Sequence, residues 1–320
     1  MTADSRIDIR SLTQEEVIAF FKEIDEPKYR ASQVYQWLWQ KSVKEFDSMT
    51  NLSLPVREKL KEKFIIRELS ISSQQVSNDG TVKYAFRMHD GMIVEGVLIP
   101  TEKRMTACIS SQVGCSLACE FCATGKLKRM RNLAYSEIYD QVVAIDQEAK
   151  ERYGKGLTNI VYMGMGEPLL NYKNVMESVA KITGEDSLHM ASKRITISTA
   201  GIAKQIRQLA DDNAKFNLAL SLHAANDEKR SKMMAINDSN DLDTLADALN
   251  YYCDATGRQV TFEYIIFKDL NDSLEDAAEL LAFCRRVPSK VNIIEYNSVE
   301  GTPFQKAQEA KVDRFAQFLE

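Results

Sequence analysis

The stretch "CISSQVGCSLACEFCATG", residues 108–125, places four cysteines within fifteen positions, the last three spaced C-x3-C-x2-C at Cys115, Cys119 and Cys122. Three thiols do not complete a structural zinc site, which takes four ligands. The fourth cysteine, Cys108, lies seven positions upstream in or beside a candidate strand. A cubane iron–sulfur cluster accommodates the pattern differently: three cysteines hold three irons, and the fourth iron stays open to another ligand.

From residue 105 onward the chain alternates between short β-rich runs and helical patterns. Candidate strands are 105–111, 159–163, 194–199, 216–222, 259–266 and 290–297. Helical patterns come after them at about 134–152, 172–183, 201–211, 241–256, 273–287 and 305–320. Such alternation predicts βα units and a parallel sheet. Right-handed connections let six units curl into a partial (βα)6 barrel of TIM type. Functional residues then collect beyond the carboxyl ends of the strands, and the cysteine loop comes directly after the first strand. The segment "NIVYMGMGEP", residues 159–168, runs a strand into Gly164, Gly166 and Glu167. Glycines there admit a ligand close to the backbone, and a carboxylate can pair with an ammonium.

Upstream, Thr13-Gln14-Glu15-Glu16 predicts a capping box opening a helix through Ile24. Residues 30–41 form a second helical pattern with Val34, Trp37 and Leu38 on one face, and 53–64 a third. The run "TVKYAFRMHDGMIVEGVLIP" predicts a hairpin turning at Asp90-Gly91, with Glu95 on a solvent-facing position of its second strand. The expected organisation is a helical accessory domain over 1–75, a β-hairpin extension over 76–104, and the α/β partial barrel over 105–320.

Composition fits a soluble globular protein, with 44% hydrophobic and 27% charged residues. No apolar run approaches the roughly 18 residues of a membrane span, and the N-terminus "MTADSRIDIRSL" has no apolar leader core. The expected compartment is the cytoplasm, where thiols stay reduced. Cys253 and Cys284 stand alone in helical patterns and read as small buried hydrophobes. A net charge of −5 argues against indiscriminate nucleic-acid binding. Lys103, Arg104, Lys126, Lys128, Arg129 and Arg131 nevertheless face a single acid, Glu120, between residues 103 and 131. That segment reads either as a solvated loop or as a rim for phosphates.

The C-x3-C-x2-C loop after the first strand resembles the signature of the radical S-adenosylmethionine superfamily. There, a 4Fe-4S cluster leaves one iron to chelate S-adenosylmethionine. Phe121 matches the aromatic residue usual before the third cysteine. "MGMGEPLLNY", "ITISTAGI" and "LALSLHAANDEKR", taken with the cysteine loop, are similar to the RlmN/Cfr family of radical RNA methyltransferases across essentially the whole chain.

The resemblance implies that Cys115, Cys119 and Cys122 ligate the cluster. It implies that Gly166, Glu167, Ser198, Ser221, Leu222, His223 and Asn297 contact S-adenosylmethionine, and that Glu95 is a proton acceptor. It also explains the fourth cysteine. Carbon 2 of adenine is electrophilic and does not attack a sulfonium, so the family carries the methyl group on a cysteine. Two molecules of S-adenosylmethionine are used per turnover, and Cys108 matches the cysteine that resolves the protein–RNA crosslink by forming a disulfide. The methyl-carrying cysteine is expected beyond residue 320, so these 320 residues are expected to be a shortened form, incomplete for turnover. Implied partners are 23S rRNA, tRNA and a flavodoxin-type electron donor, with no membrane and a monomeric state. The C8-methylating branch of the family shares every motif quoted. A different class, a zinc-stabilised RNA-binding protein without catalysis, predicts a colourless protein containing zinc.

Overall fold

The computed structural model describes residues 6–320. Met1 to Ser5, the start of "MTADSRIDIRSL", lie outside the described residues. The chain divides into two compact units, and the boundary between them falls inside a strand, at Ala107–Cys108.

The first unit comprises the residues up to Ala107 together with 134–157 and 176–191. Its first helix, α1 (Gln14–Glu23), opens on the expected capping box: Thr13 Oγ1 accepts from Glu16 N at 3.2 Å, and Thr13 N donates to Glu16 Oε2 at 2.7 Å. Helix α2 (Tyr29–Tyr35) runs into a π-helical turn over Gln36–Gln40, and α3 (Leu54–Lys63) comes next. The π turn corrects the expected apolar face. It fits an extra fraction of a residue into the turn and rotates the residues beyond it. Trp39 is therefore buried with Val34 and Leu38, while Trp37 is only partly covered. Trp39 stacks on Tyr135 at 5.6 Å and meets Tyr139 edge-on at 5.2 Å, both rings belonging to α4 (Tyr135–Tyr153).

Three antiparallel strands complete this unit: β1 (Ser70–Val76), β2 (Val82–Arg87) and β3 (Ile93–Pro100). The Asp90-Gly91 turn forms as expected, with Gly91 at φ +82° and Asp90 Oδ1 accepting from Met92 N at 3.1 Å. β1 was not anticipated, because "SISSQQV" lacks alternation. It is an edge strand whose residues are all exposed.

The second unit comprises 108–133, 158–175 and 192–320. Strand β4 (Met105–Cys108) crosses the boundary. Strands β5 (Asn159–Tyr162), β6 (Ile195–Thr199), β7 (Asn217–Ser221), β8 (Val260–Ile266) and β9 (Ser289–Glu295) pair in parallel, each with the next. Helices α6 (Ala203–Asp211), α8 (Leu242–Thr256), α9 (Leu274–Cys284) and α10 (Glu309–Leu319) come after the last four strands, while α5 (Tyr172–Thr183) spans both units. The α/β fold with a parallel sheet is as the alternation predicts. Its core is the row of buried residues Ile160, Ile197, Leu218, Leu220, Phe262 and Tyr264.

Several bounds differ from expectation for physical reasons. The first strand ends at Cys108 rather than residue 111, because Ser110–Gln112 turn to grip the end of β5. Ser110 Oγ accepts from Met165 N at 2.8 Å, and Ser111 N and Gln112 N both donate to Met165 O. The last strand ends at Glu295, leaving Asn297 outside it. The last helix starts at Glu309 rather than 305, because Gln305 O accepts from Lys268 N and Lys306 bridges Phe267. A short helix, α7 (Asp227–Met233), begins within "LHAANDEKR" and was not anticipated.

Candidate active site

The cysteine loop sits at the carboxyl end of the parallel sheet in the second unit. Its tightness has a backbone cause. A Cβ on Gly125 would stand 2.6 Å from Cys119 O, so only glycine lets the loop close on itself. Gly166, at φ +97°, is required in the same way, since a Cβ there would overlap Gln112.

The free thiols of Cys115, Cys119 and Cys122 all line one cavity of about 260 Å³. Its other walls are strand ends: Gly166 and Glu167 after β5, Ser198 and Thr199 on β6, Ser221 and His223 from β7, and Glu263 and Ile265 on β8. A larger groove of about 680 Å³ lies in the first unit, and three pairs of its charged groups are joined to one another. Arg10 pairs with Asp140 at 2.6 Å, Lys150 with Asp146 at 2.5 Å and Lys44 with Glu68 at 3.1 Å.

Glu167 is buried, 3% exposed, and its carboxylate is held by two backbone amides: Leu169 N donates to Oε1 at 3.0 Å and Ala200 N to Oε2 at 2.8 Å. Burial pushes its pKa up to about 7, against the pull of those amides. The Ser198 and Ser221 hydroxyl oxygens lie 3.4 Å apart on neighbouring strands. His223 has φ +56° and is buried; its Nδ1 accepts from Ile265 N at 3.1 Å, which puts the proton of the neutral ring on Nε2. Burial, and then the nearby Arg230, push its pKa down to about 3, so the ring is neutral at any physiological pH. The His223 ring meets Phe121 edge-on at 4.8 Å.

The other predicted residues lie elsewhere. Leu222 is fully buried and is not on the cavity wall. Asn297 is exposed beyond β9, and it too is absent from the wall. Cys108, partly exposed, ends β4, and burial pushes its thiol up to about 11. Glu95 is exposed on β3 in the first unit, where it pairs with Lys83 at 2.6 Å. Cys253 is buried as expected, whereas Cys284 is partly exposed. One cavity-wall residue carried no sequence signal, Glu263, whose Oε2 accepts from Asn292 Nδ2 at 2.7 Å; Arg230, the last residue of the quoted motif "LALSLHAANDEKR", is buried beneath the strand ends and was given no role there.

The donor set fits an iron–sulfur cluster: three thiols on one loop open into a cavity whose facing wall carries a carboxylate and two hydroxyls. Burial holds the Cys115 and Cys119 thiols above their ordinary pKa, with the other thiols adding to the effect at Cys119. Metal coordination is what would ionise them. Among the described residues, no three His, Cys, Asp or Glu side chains gather tightly enough to hold a single metal ion.

Fold and site together define a radical S-adenosylmethionine enzyme, and the Radical SAM superfamily model matches residues 109–281. Membership implies a 4Fe-4S cluster and S-adenosylmethionine as cofactors. The model of the ribosomal RNA large subunit methyltransferase N-terminal domain matches residues 7–66. The chain belongs to the RlmN family. It is 55% identical to a probable dual-specificity RNA methyltransferase RlmN from Cytophaga hutchinsonii, over 97% of this chain and 85% of that one. It is 51% identical to the protein so described from Christiangramia forsetii, over 99% and 90%. The crystal structure of a radical SAM methyltransferase from Sphaerobacter thermophilus superposes with a TM-score of 0.91 at 37% identity, covering 98% of this chain and 92% of that one. No helix among the described residues is long and apolar enough to cross a membrane.

Proposed function

We propose that the chain is a dual-specificity RNA methyltransferase that installs a methyl group on carbon 2 of adenosine in 23S rRNA and in tRNA, in the cytoplasm. The observation that carries this reading is the coincidence, in one cavity, of a three-cysteine loop with a buried carboxylate, in a chain of the RlmN family. Bound there, the cluster and S-adenosylmethionine supply radical chemistry able to functionalise a carbon that no nucleophilic displacement reaches.

The chain's own residues do the rest. Cys115, Cys119 and Cys122 hold the cluster. Glu167, its two oxygens already fixed by amides, offers a carboxylate to the ammonium of the methionine part. The Ser198 and Ser221 hydroxyls, at adjacent strand ends, take the cofactor's polar oxygens. Leu222 and, beyond β9, Asn297 take their places at the cofactor by resemblance to the family. Neutral His223 donates from Nε2. Cys108 supplies the thiol that attacks the sulfur of the family's methyl-carrying cysteine, forming a disulfide as the bond from that sulfur to the RNA-bound carbon breaks, and Glu95 accepts the ring proton. Two molecules of S-adenosylmethionine are used per turnover, a flavodoxin-type protein donates electrons, and the enzyme works as a monomer. A buried adenosine must be extruded to reach the cavity.

The test is genetic. Disrupting the gene in its host is expected to abolish 2-methyladenosine in both 23S rRNA and tRNA, read by mass spectrometry of nucleosides. Persistence of 2-methyladenosine overturns the reading, and loss of 8-methyladenosine instead assigns the chain to the C8 branch.

A further inference from the structure

Arg230, on α7, is fully buried. Its guanidinium donates to four neutral acceptors: Nε to Leu222 O at 3.2 Å, Nη1 to Asn237 Oδ1 at 2.7 Å, and Nη2 to Ala200 O at 2.6 Å and Ser221 O at 3.3 Å. Its hydrogen bonds are satisfied, but its charge is not. None of its bonding partners among the described residues is a carboxylate. The Asp227 carboxylate lies on the same helix, and its Oδ1 is already engaged by Asn237 Nδ2 at 2.9 Å and Leu242 N at 3.0 Å. A buried cation without a counter-ion is strongly unfavourable. Arginine does not escape by losing its proton near neutral pH.

The missing anion has a natural place. The cysteine loop is fastened to the helix that carries Arg230. Glu120 N donates to Met233 O at 3.0 Å, and Leu117, Cys119 and Phe121 pack on the cluster that contains Met233 and Met234.

We propose that Arg230 is the built-in counter-charge of the iron–sulfur centre, a positioning residue that favours the state carrying one more electron. The inference rests on the reading of Cys115, Cys119 and Cys122 as cluster ligands. Adding an electron makes the thiolate-bound centre more negative by one charge. A fixed cation bonded to the carbonyls of Ala200 and Ser221, which line the cavity together with the three cysteines, therefore stabilises the reduced state more than the oxidised one and raises the potential. The same guanidinium ties together the ends of β6 and β7, through the carbonyls of Ala200 and Ser221.

The experiment uses the full chain, reconstituted anaerobically, with Arg230→Gln and Arg230→Lys. Iron and sulfide content is measured first, then the midpoint potential, by dithionite titration monitored by electron paramagnetic resonance without S-adenosylmethionine. Wild type that takes up no iron defeats the cluster reading itself. With all three proteins loaded, Arg230→Gln is expected to shift the reduction equilibrium at least tenfold toward the oxidised state, about 59 mV for one electron. Arg230→Lys is expected to stay within about threefold of wild type, because the charge is kept. A loaded Arg230→Gln protein with an unchanged potential overturns the proposal and leaves Arg230 a structural tie. Should Arg230→Gln fail to fold or load, Arg230→Met, which also removes the charge, is measured in its place. It is expected to lower the potential likewise, and an unchanged value there overturns the proposal as well.

Discussion

Glu167 and Ala200 are joined across two strand ends, the Glu167 Oε2 accepting from Ala200 N at 2.8 Å. With Leu169 N on the other oxygen, the carboxylate is fixed before any ligand arrives. Glu167→Gln keeps the shape but turns an NH₂ toward an N–H donor. It is expected to cost about 1–3 kcal/mol of stability in urea denaturation. If the carboxylate takes the cofactor's ammonium, equilibrium dialysis will also show at least a tenfold loss of S-adenosylmethionine affinity in the reconstituted protein. Unchanged affinity removes Glu167 from the cofactor site.

His223 makes acid stability a reporter of burial. Its folded pKa, about 3, lies below the ordinary histidine value of 6.5, so the unfolded chain binds more protons between those limits. Its contribution is intact above pH 6.5 and is lost as pH falls toward 3, by up to about 1.4 kcal/mol per pH unit. His223→Gln, whose side-chain oxygen can still accept from Ile265 N, is expected to flatten that limb. Denaturation of wild type and variant at several pH values between 7 and 5 gives a difference curve. A level curve would mean the ring does not carry the effect.

The π turn after α2 assigns different weights to two neighbouring tryptophans. Trp39→Ala empties a site packed by Tyr135 and Tyr139 and is expected to cost about 3–5 kcal/mol. Trp37→Ala loses a hydrogen bond to Asn51 Oδ1 and the overlying Lys41 ammonium, and is expected to cost about 1 kcal/mol. Thermal denaturation ranks the two, and a reversed order would contradict the observed face.

Lys128 and Arg129 are exposed in the loop after the third cysteine, beside the exposed Leu127 and Met130. If that loop meets RNA phosphates, reversing both charges to Glu is expected to weaken RNA binding and to reduce the slope of log affinity against log salt by about two. Iron content should stay unchanged. An unaltered slope takes the loop out of the interface.

Much of the molecule is legible in the chain itself, for identifiable reasons. Strand–helix alternation survives in sequence because parallel strands are continuously apolar and helices are periodic, so the barrel units fall within a few residues of expectation. The cysteine loop and Glu167 are legible because their chemistry is local. Arg230 is not: its acceptors, Ala200 O, Ser221 O and Leu222 O, are carbonyls that any residue could supply, gathered only by folding. Trp37 is misread because a π turn leaves no compositional trace. Asn297 and Glu95 carry their roles by resemblance alone, since a motif match says nothing about which wall a side chain reaches.

The strand Ser70–Val76 ends a sheet with its hydrogen-bonding edge open, and its register slips between Ile71 and Ser73. That irregularity bends the border of the sheet, which discourages another molecule from continuing the ladder. Deleting the supernumerary residue, Ser72, is expected to straighten that border and to favour edge-to-edge self-association. A straightened border would recruit its own kind.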